Sequence, residues 1–138
     1  MSEATVSTLF NSISTSDPLD FKSSKGFDYK SVSHFLDFDK NDLSKIAGVS
    51  EATVRLDKKI PRQLALRLDQ IANICSLVAE FFDGDPQRTQ LWFHTANPML
   101  GYVRPRDMIR LGRYERLLRY VQEARAENAP HVEETSTS

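Results

Sequence analysis

Between Pro61 and the Asp83-Gly84 pair, the apolar residues Leu64, Leu68, Ile71, Cys75, Val78 and Phe82 recur every three or four positions. Such a period sustained over this length predicts one long amphipathic helix, from Arg62 to Phe82, that shorter elements must pack against. No segment shows the apolar/polar alternation of a half-buried strand, so the predicted fold class is all-α.

The flanking signals are also helical. Val32, Phe35 and Leu36 share one side of a short first helix over Asp28 to Phe38. Asn41 or Asp42 can cap a second carrying Leu43, Ile46 and Ala47, which Gly48 ends; Ser50 then caps a third from Glu51 to about Asp57. Asp85-Pro86 is a strong helix start for the segment bearing Leu91 and Trp92, and Asn97-Pro98 breaks it. Pro105 opens another short helix ending near Gly112. Arg113 to Asn128 forms the last, with Tyr114, Leu117, Leu118, Val121 and Ala124 inward. The stretches 1–26 and 129–138 are Ser/Thr-rich or polar and are expected to be loose. This divides the chain into a unit over 27–83, which includes the long connecting helix, and a second helical unit over 84–128.

The chain has 138 residues, 40% of them hydrophobic, enough for one compact domain or two small helical ones. One cysteine permits no internal disulfide, no apolar run is long enough to span a bilayer, and the N-terminus lacks a secretory pattern. A cytoplasmic location is the expectation. The formal charge of -1 conceals two basic stretches: Lys45, Arg55, Lys58, Lys59, Arg62 and Arg67 in the middle, and Arg104, Arg106, Arg110, Arg113, Arg116, Arg119 and Arg125 later. Each suits phosphates or an acidic partner, and each equally suits a solvated helix face.

In the first unit, Leu43 to Val54 has helix-turn-helix spacing. Ser44 lets two helices approach, Gly48 makes the turn, Val49 and Val54 pack it, and Ser50 starts a recognition helix. Glu51, Ala52, Thr53 and Arg55 then face base edges, with Ser50, Lys58, Lys59 and Arg62 placed for phosphate contacts. The alternative is a small helical core with solvent-facing charges.

In the second unit, Trp92, Asn97-Pro98, Leu100, Pro105, Asp107, Gly112, Tyr114, Leu117 and Leu118, with the gaps between them, form a pattern that resembles the Xre/MbcA/ParS antitoxins, nearest to the mycobacterial MbcA type. The resemblance covers roughly residues 28 to 127, about three-quarters of the chain. It implies an Xre-like helix-turn-helix unit joined by the long helix to a C-terminal toxin-binding unit. It also implies a RES-domain toxin partner that consumes NAD, neutralised by covering its active site, with operator DNA bound by a homodimer within a larger toxin-antitoxin complex. Trp92, Asn97, Pro98, Leu100 and Pro105 would then shape the toxin-binding unit, Arg104, Arg106, Arg110, Arg113 and Tyr114 would contact the toxin, and Arg119 to Glu127 could enter its cleft. Many relatives carry two glycines after the Asn-Pro-x-Leu turn, whereas this chain has Gly101 then Tyr102. Many also carry an aromatic residue and a glycine before Pro, where Leu56 to Ile60 stands here.

Chemistry on the substrate of an enzyme is not expected. His34, His94, His131 and Cys75 are too scattered for a metal site, and neither a phosphate-cradling glycine loop nor a Ser-His-Asp grouping can be assembled. No cofactor is expected. Trp92 is expected to be a core anchor, and Asp37, Asp39, Asp83 and Asp85 to serve turns and caps. A stand-alone helix-turn-helix regulator, or an adaptor whose basic helix meets an acidic protein, are the competing functions.

Overall fold

The computed structural model describes residues 17–23, 26–56 and 59–128. Among them, a small antiparallel hairpin of β1 (Lys22–Ser23) and β2 (Gly26–Phe27) precedes α1 (Tyr29–Phe35) and α2 (Lys40–Ala47). A 3-10 turn, Glu51–Thr53, leads to the long α3 (Arg62–Phe81) and then α4 (Pro86–Phe93). A second 3-10 turn, Pro98–Leu100, joins α4 to α5 (Pro105–Arg110) and α6 (Tyr114–Asn128). The fold class is all-α, and the hairpin pairs only Lys22 with Phe27 and Ser23 with Gly26.

The long helix forms where periodicity places it, but it is more central than an amphipathic stripe requires. Beyond Leu64, Leu68, Ile71, Cys75 and Val78, it also buries Ala72, Ile74, Leu77 and Ala79. Every residue from Ile74 to Ala79 is buried, so in its second half α3 meets neighbours on all sides. Helices α1 and α2 pack on it from one half of the chain, α4 and α6 from the other. One cluster of buried side chains runs from Phe21 and Val32 through α3 to Ile109, Leu117 and Val121. The units expected over 27–83 and 84–128 therefore share a core.

Several local expectations need correction. The second helix is capped by Asp39 rather than by Asn41 or Asp42. Asp39 accepts from the Asp42 backbone N–H at 2.8 Å while the Asp42 carboxylate accepts from the Asp39 N–H at 3.1 Å, a reciprocal box that satisfies two end donors. Residues 17–23, expected to be loose, are held in place, while the rest of that expectation, over 1–16, 24–25 and 129–138, lies outside the described residues. The Asp17 carboxylate accepts from the Phe21 and Lys22 N–H groups at 3.0 and 2.9 Å, and Phe21 is buried edge-on against Phe35, with ring centroids 5.7 Å apart. One buried phenylalanine and one chelating aspartate suffice to fix a short segment. The anchor of α4 is Phe93, which is fully buried, whereas its neighbour Trp92 is only half-buried.

The two halves are joined by polar contacts at the C-terminal end of α1. Helix ends leave carbonyls without intrahelical partners, and buried ones must find donors elsewhere. Phe35 O accepts from Gln90 Nε2 at 3.0 Å and lies 3.3 Å from His94 Nε2, which must carry the proton to donate to a carbonyl. Arg106 completes the set, donating from Nε to Leu36 O at 2.8 Å and from Nη2 to Asp37 O at 2.9 Å. Its guanidinium also lies 5.2 Å from the centre of the Phe38 ring, a cation-π distance. Arg106 is 8% exposed, so the expectation that it contacts a partner is corrected: it caps α1 from within.

Arg106→Met keeps an unbranched side chain but leaves the Leu36 and Asp37 carbonyls without their donors. Urea denaturation should show a loss of about 2–4 kcal/mol. An unchanged midpoint would contradict the capping role.

Candidate functional site

The two stretches singled out by sequence fold very differently. In the first, α2 ends at Gly48 (φ 70°) as expected and Val54 is buried, but among the described residues no recognition helix follows Ser50. Glu51–Thr53 forms a single 3-10 turn, and Val54 is already extended at φ -72°, ψ 109°. The physical causes are local. Ser50 makes no side-chain cap to the backbone, the Thr53 hydroxyl donates back to Ser50 O at 2.8 Å, and burial of the β-branched Val54 pulls the chain inward. Beyond it, Pro61 disfavours helix at the preceding residue.

The correction reaches the proposed base-reading residues. Glu51 is held by Asn41, whose Nδ2 donates to Glu51 Oε2 at 3.1 Å, so its carboxylate is turned back onto α2. Ser50, Ala52, Thr53, Arg55, Lys59 and Arg62 are exposed, but the first three sit at the 3-10 turn, Arg55 and Lys59 on irregular chain and Arg62 at the start of α3, so they share no single helical face. Lys58 lies outside the described residues. A major groove is read by an inserted helix or ribbon, and a one-turn 3-10 element supplies neither.

The second stretch is a compact, well-bonded turn. Asn97 caps the second 3-10 turn, its Oδ1 accepting from the Met99 N–H at 2.9 Å. Its own N–H donates to Val103 O at 3.1 Å, and its carbonyl accepts from the N–H groups of Leu100 and Tyr102, each at 2.9 Å. Leu100 is buried beneath the turn and Pro105 buries itself at the start of α5. Gly101 and Tyr102 follow each other in left-handed backbone, at φ 72° and 64°. Glycine takes that conformation freely, whereas a tyrosine there is strained by roughly 1 kcal/mol or more. Yet Tyr102 is 74% exposed, as is Met99, so neither side chain recovers that cost by burial in the free protein. Strain kept at an exposed aromatic residue makes Tyr102 a candidate functional position.

The basic residues around this turn are less available than their number suggests. Arg104 Nε, Arg106 Nη1 and Arg110 Nε all contact the Asp107 carboxylate, at 2.7, 3.0 and 3.1 Å. Burial pushes that carboxyl up, but hydrogen bonds from Arg104 and Arg110, with the charges of Arg104 and Arg106, hold it below the usual range. Of the expected direct contacts, Arg104 and Arg113 are exposed and Arg110 and Tyr114 half-buried; of the residues expected to shape the unit, Pro98 is exposed and Trp92 and Asn97 are half-buried. Burial raises the phenol of Tyr114, with Arg67 opposing, so this residue belongs partly to the packing between α3 and α6. Leu100 and Pro105, expected to shape this unit, are buried, and Arg106, expected as a direct contact, is buried with them. Sequence reasoning missed Met99 as an exposed residue and Asp107 as the hub. Arginines at three before, one before and three after Asp107 were the available signal.

Cys75 is fully buried and desolvation pushes its thiol far up, the opposite of an activated nucleophile. Among the described residues, no three His, Cys, Asp or Glu side chains are grouped to hold a metal ion, and no helix is long and apolar enough to cross a membrane.

No family model and no curated protein matches the chain. Among solved structures it is similar to a chain in the crystal structure of the M. tuberculosis MbcT-MbcA toxin-antitoxin complex, with a TM-score of 0.48 and 18% identity, over 74% of this chain and 94% of that one. So slight a likeness decides nothing about activity, which rests on the residues themselves.

The Asp107 hub carries a pH signature. A carboxyl whose folded pKa lies below its unfolded value of about 3.9 contributes stability in full above that value and loses it as pH falls through the lower, folded one. Asp107→Asn should therefore cost about 1–3 kcal/mol at neutral pH, with the gap to the parent closing below pH 4. Urea midpoints across that range check it, and a gap independent of pH would contradict the ionised hub.

Proposed function

We propose that this chain is the antitoxin of a type II toxin-antitoxin pair and that it neutralises a RES-domain, NAD-consuming toxin by covering its active-site mouth. The observation that carries this is the pre-formed turn at 97–103, which displays Met99 and Tyr102 at 74% exposure over a buried Leu100. A preorganised surface loses little freedom on association, so the gain from an aromatic residue inserted into a partner is kept as affinity. Of the motif residues on which the family resemblance rests, Asn97, Pro98 and Leu100 build this turn, and Pro105 and Asp107 lie in the helix α5 that follows it. Arg104 and Arg113 flank it and are open to an acidic or carbonyl-rich rim.

Occlusion is the mechanism that needs the least from the antitoxin. A blocked cleft requires shape, not matched charge, and Asp107 already neutralises part of the basic helix. The chain itself breaks no bond in this scheme; the toxin supplies the chemistry and the antitoxin withholds access.

The proposed DNA role is narrower than the sequence suggests. Arg55, Lys59 and Arg62 are exposed and suit phosphate contacts, so operator binding in this proposal is carried by a homodimer-containing toxin-antitoxin assembly through backbone contacts and DNA shape. The competing reading as a stand-alone regulator needs a base-reading helix, and the single turn at Glu51–Thr53 weakens it.

Tyr102→Gly separates stability from binding. Relief of the left-handed strain should raise folding stability by about 1 kcal/mol, while loss of the ring should weaken toxin binding roughly tenfold or more. Thermal melting, calorimetric titration with the adjacently encoded RES-domain protein, and recovery of its NAD consumption give the three readouts. Failure of the two parent proteins to associate would overturn the function. Unchanged affinity of the variant would overturn the contact surface.

A further inference from the structure

A cavity of about 50 Å³ lies where α2, α3, α5 and the start of α6 meet. Its apolar wall is Ile46, Ile71 and Ile109, the last two buried, and its polar side carries the exposed Arg67 and Gln70 and the half-buried Tyr114. Arg67 Nη1 donates to Gln70 Oε1 at 3.1 Å, so the amide oxygen serves the guanidinium and what Gln70 has left to offer is chiefly its Nε2 donors. Among the described residues no carboxylate pairs with Arg67, and the other side chains lining the cavity are uncharged. Arg67 also acts on the Tyr114 phenol more strongly than the opposing Glu115, so of these two charges the cation dominates there.

Donors on one side and isoleucines on the other match an anion carried on a short aliphatic stem. A carboxylate with one or two methylenes fits both halves, whereas a phosphate would set unpaired oxygens against the isoleucine wall. A space of this size takes only a few heavy atoms, and a free ligand so small gains little before the cost of immobilising it is met. A side chain delivered by a larger partner avoids that difficulty, because the rest of the interface orders it. Helix α5, six residues and about 9 Å long, starts at the exposed turn over 97–103 and ends beside this cavity, with Leu111, 55% exposed, between them. Turn and cavity therefore lie within the span of one interface.

We infer that this pocket receives an aspartate or glutamate side chain of the toxin, its carboxylate on Arg67 and Tyr114 and its methylenes against Ile46, Ile71 and Ile109. The identity of the partner rests on the antitoxin reading; the chemistry of the occupant rests on the pocket. One charge-matched point beside a turn that offers shape fixes the register of the complex.

In the free full-length protein, sodium propionate should move the methyl NMR signals of Ile46, Ile71 and Ile109 saturably in the millimolar range, and inorganic phosphate at equal ionic strength should not. Arg67→Gln should abolish the response; the side chain is exposed, so far-UV circular dichroism should stay that of the parent. In calorimetric titration with the adjacently encoded RES-domain protein, Arg67→Gln should weaken binding roughly tenfold or more and Tyr114→Phe by less, while Arg88→Gln, exposed on α4, should leave it unchanged. Toxin binding indifferent to Arg67→Gln overturns the inference, as does propionate that moves none of the isoleucine signals. Propionate uptake without association of the two parent proteins overturns the antitoxin reading and the toxin as source of the carboxylate, separately from the chemistry of the pocket.

Discussion

The carbonyls at the C-terminal end of α1 hold this molecule together. Phe35, Leu36 and Asp37 present oxygens that no helical N–H can reach, and the donors come from Gln90, His94 and Arg106, on or beside helices far along the chain. Arginine suits the position because its planar fork serves two carbonyls and Asp107 at once while its guanidinium lies over the Phe38 ring. Buried polar groups cost stability when orphaned more than they contribute when paired, so the arrangement disfavours any seat of α4 and α5 that leaves these carbonyls without donors.

That seat fixes the exposed turn. The segment 97–103 leaves α4 just after His94 and enters α5 just before Arg106, so both of its ends are pinned to α1. Rigidity at the ends, with the internal bonds of Asn97, lets the backbone hold Tyr102 in left-handed conformation while its ring stays in solvent. The same architecture spends the arginines: three of them converge on Asp107, so the surface offers shape and two apolar side chains more than it offers charge. The account of function follows from that balance.

Sequence periodicity revealed α3, and Asp85-Pro86 marked the start of α4, because these are local rules that tertiary packing here reinforces; the helix ends at Phe93, and Asn97-Pro98 starts the 3-10 turn beyond it. The departure at Gly101-Tyr102 from paired glycines was also visible, and the structure gives it meaning as strain at φ 64°. What stayed hidden was non-local. Arg106 looks like any basic helix residue until the carbonyls of Leu36 and Asp37 arrive beside it. Trp92 outranks Phe93 by size, yet which of two adjacent rings points inward depends on where α3 lies. The missing recognition helix reflects a contest between the helix-start signal at Ser50 and the burial of Val54, and propensity alone does not decide it.

Native-state hydrogen exchange of the free protein tests the pinned turn most directly. The amides of Asn97, Leu100 and Tyr102, all bonded within the turn, should exchange slowly and should speed up together when the Arg106 fork is removed. Exchange of these amides at the rate of open chain, while those of α3 stay protected, would contradict a surface preorganised by its anchors on α1.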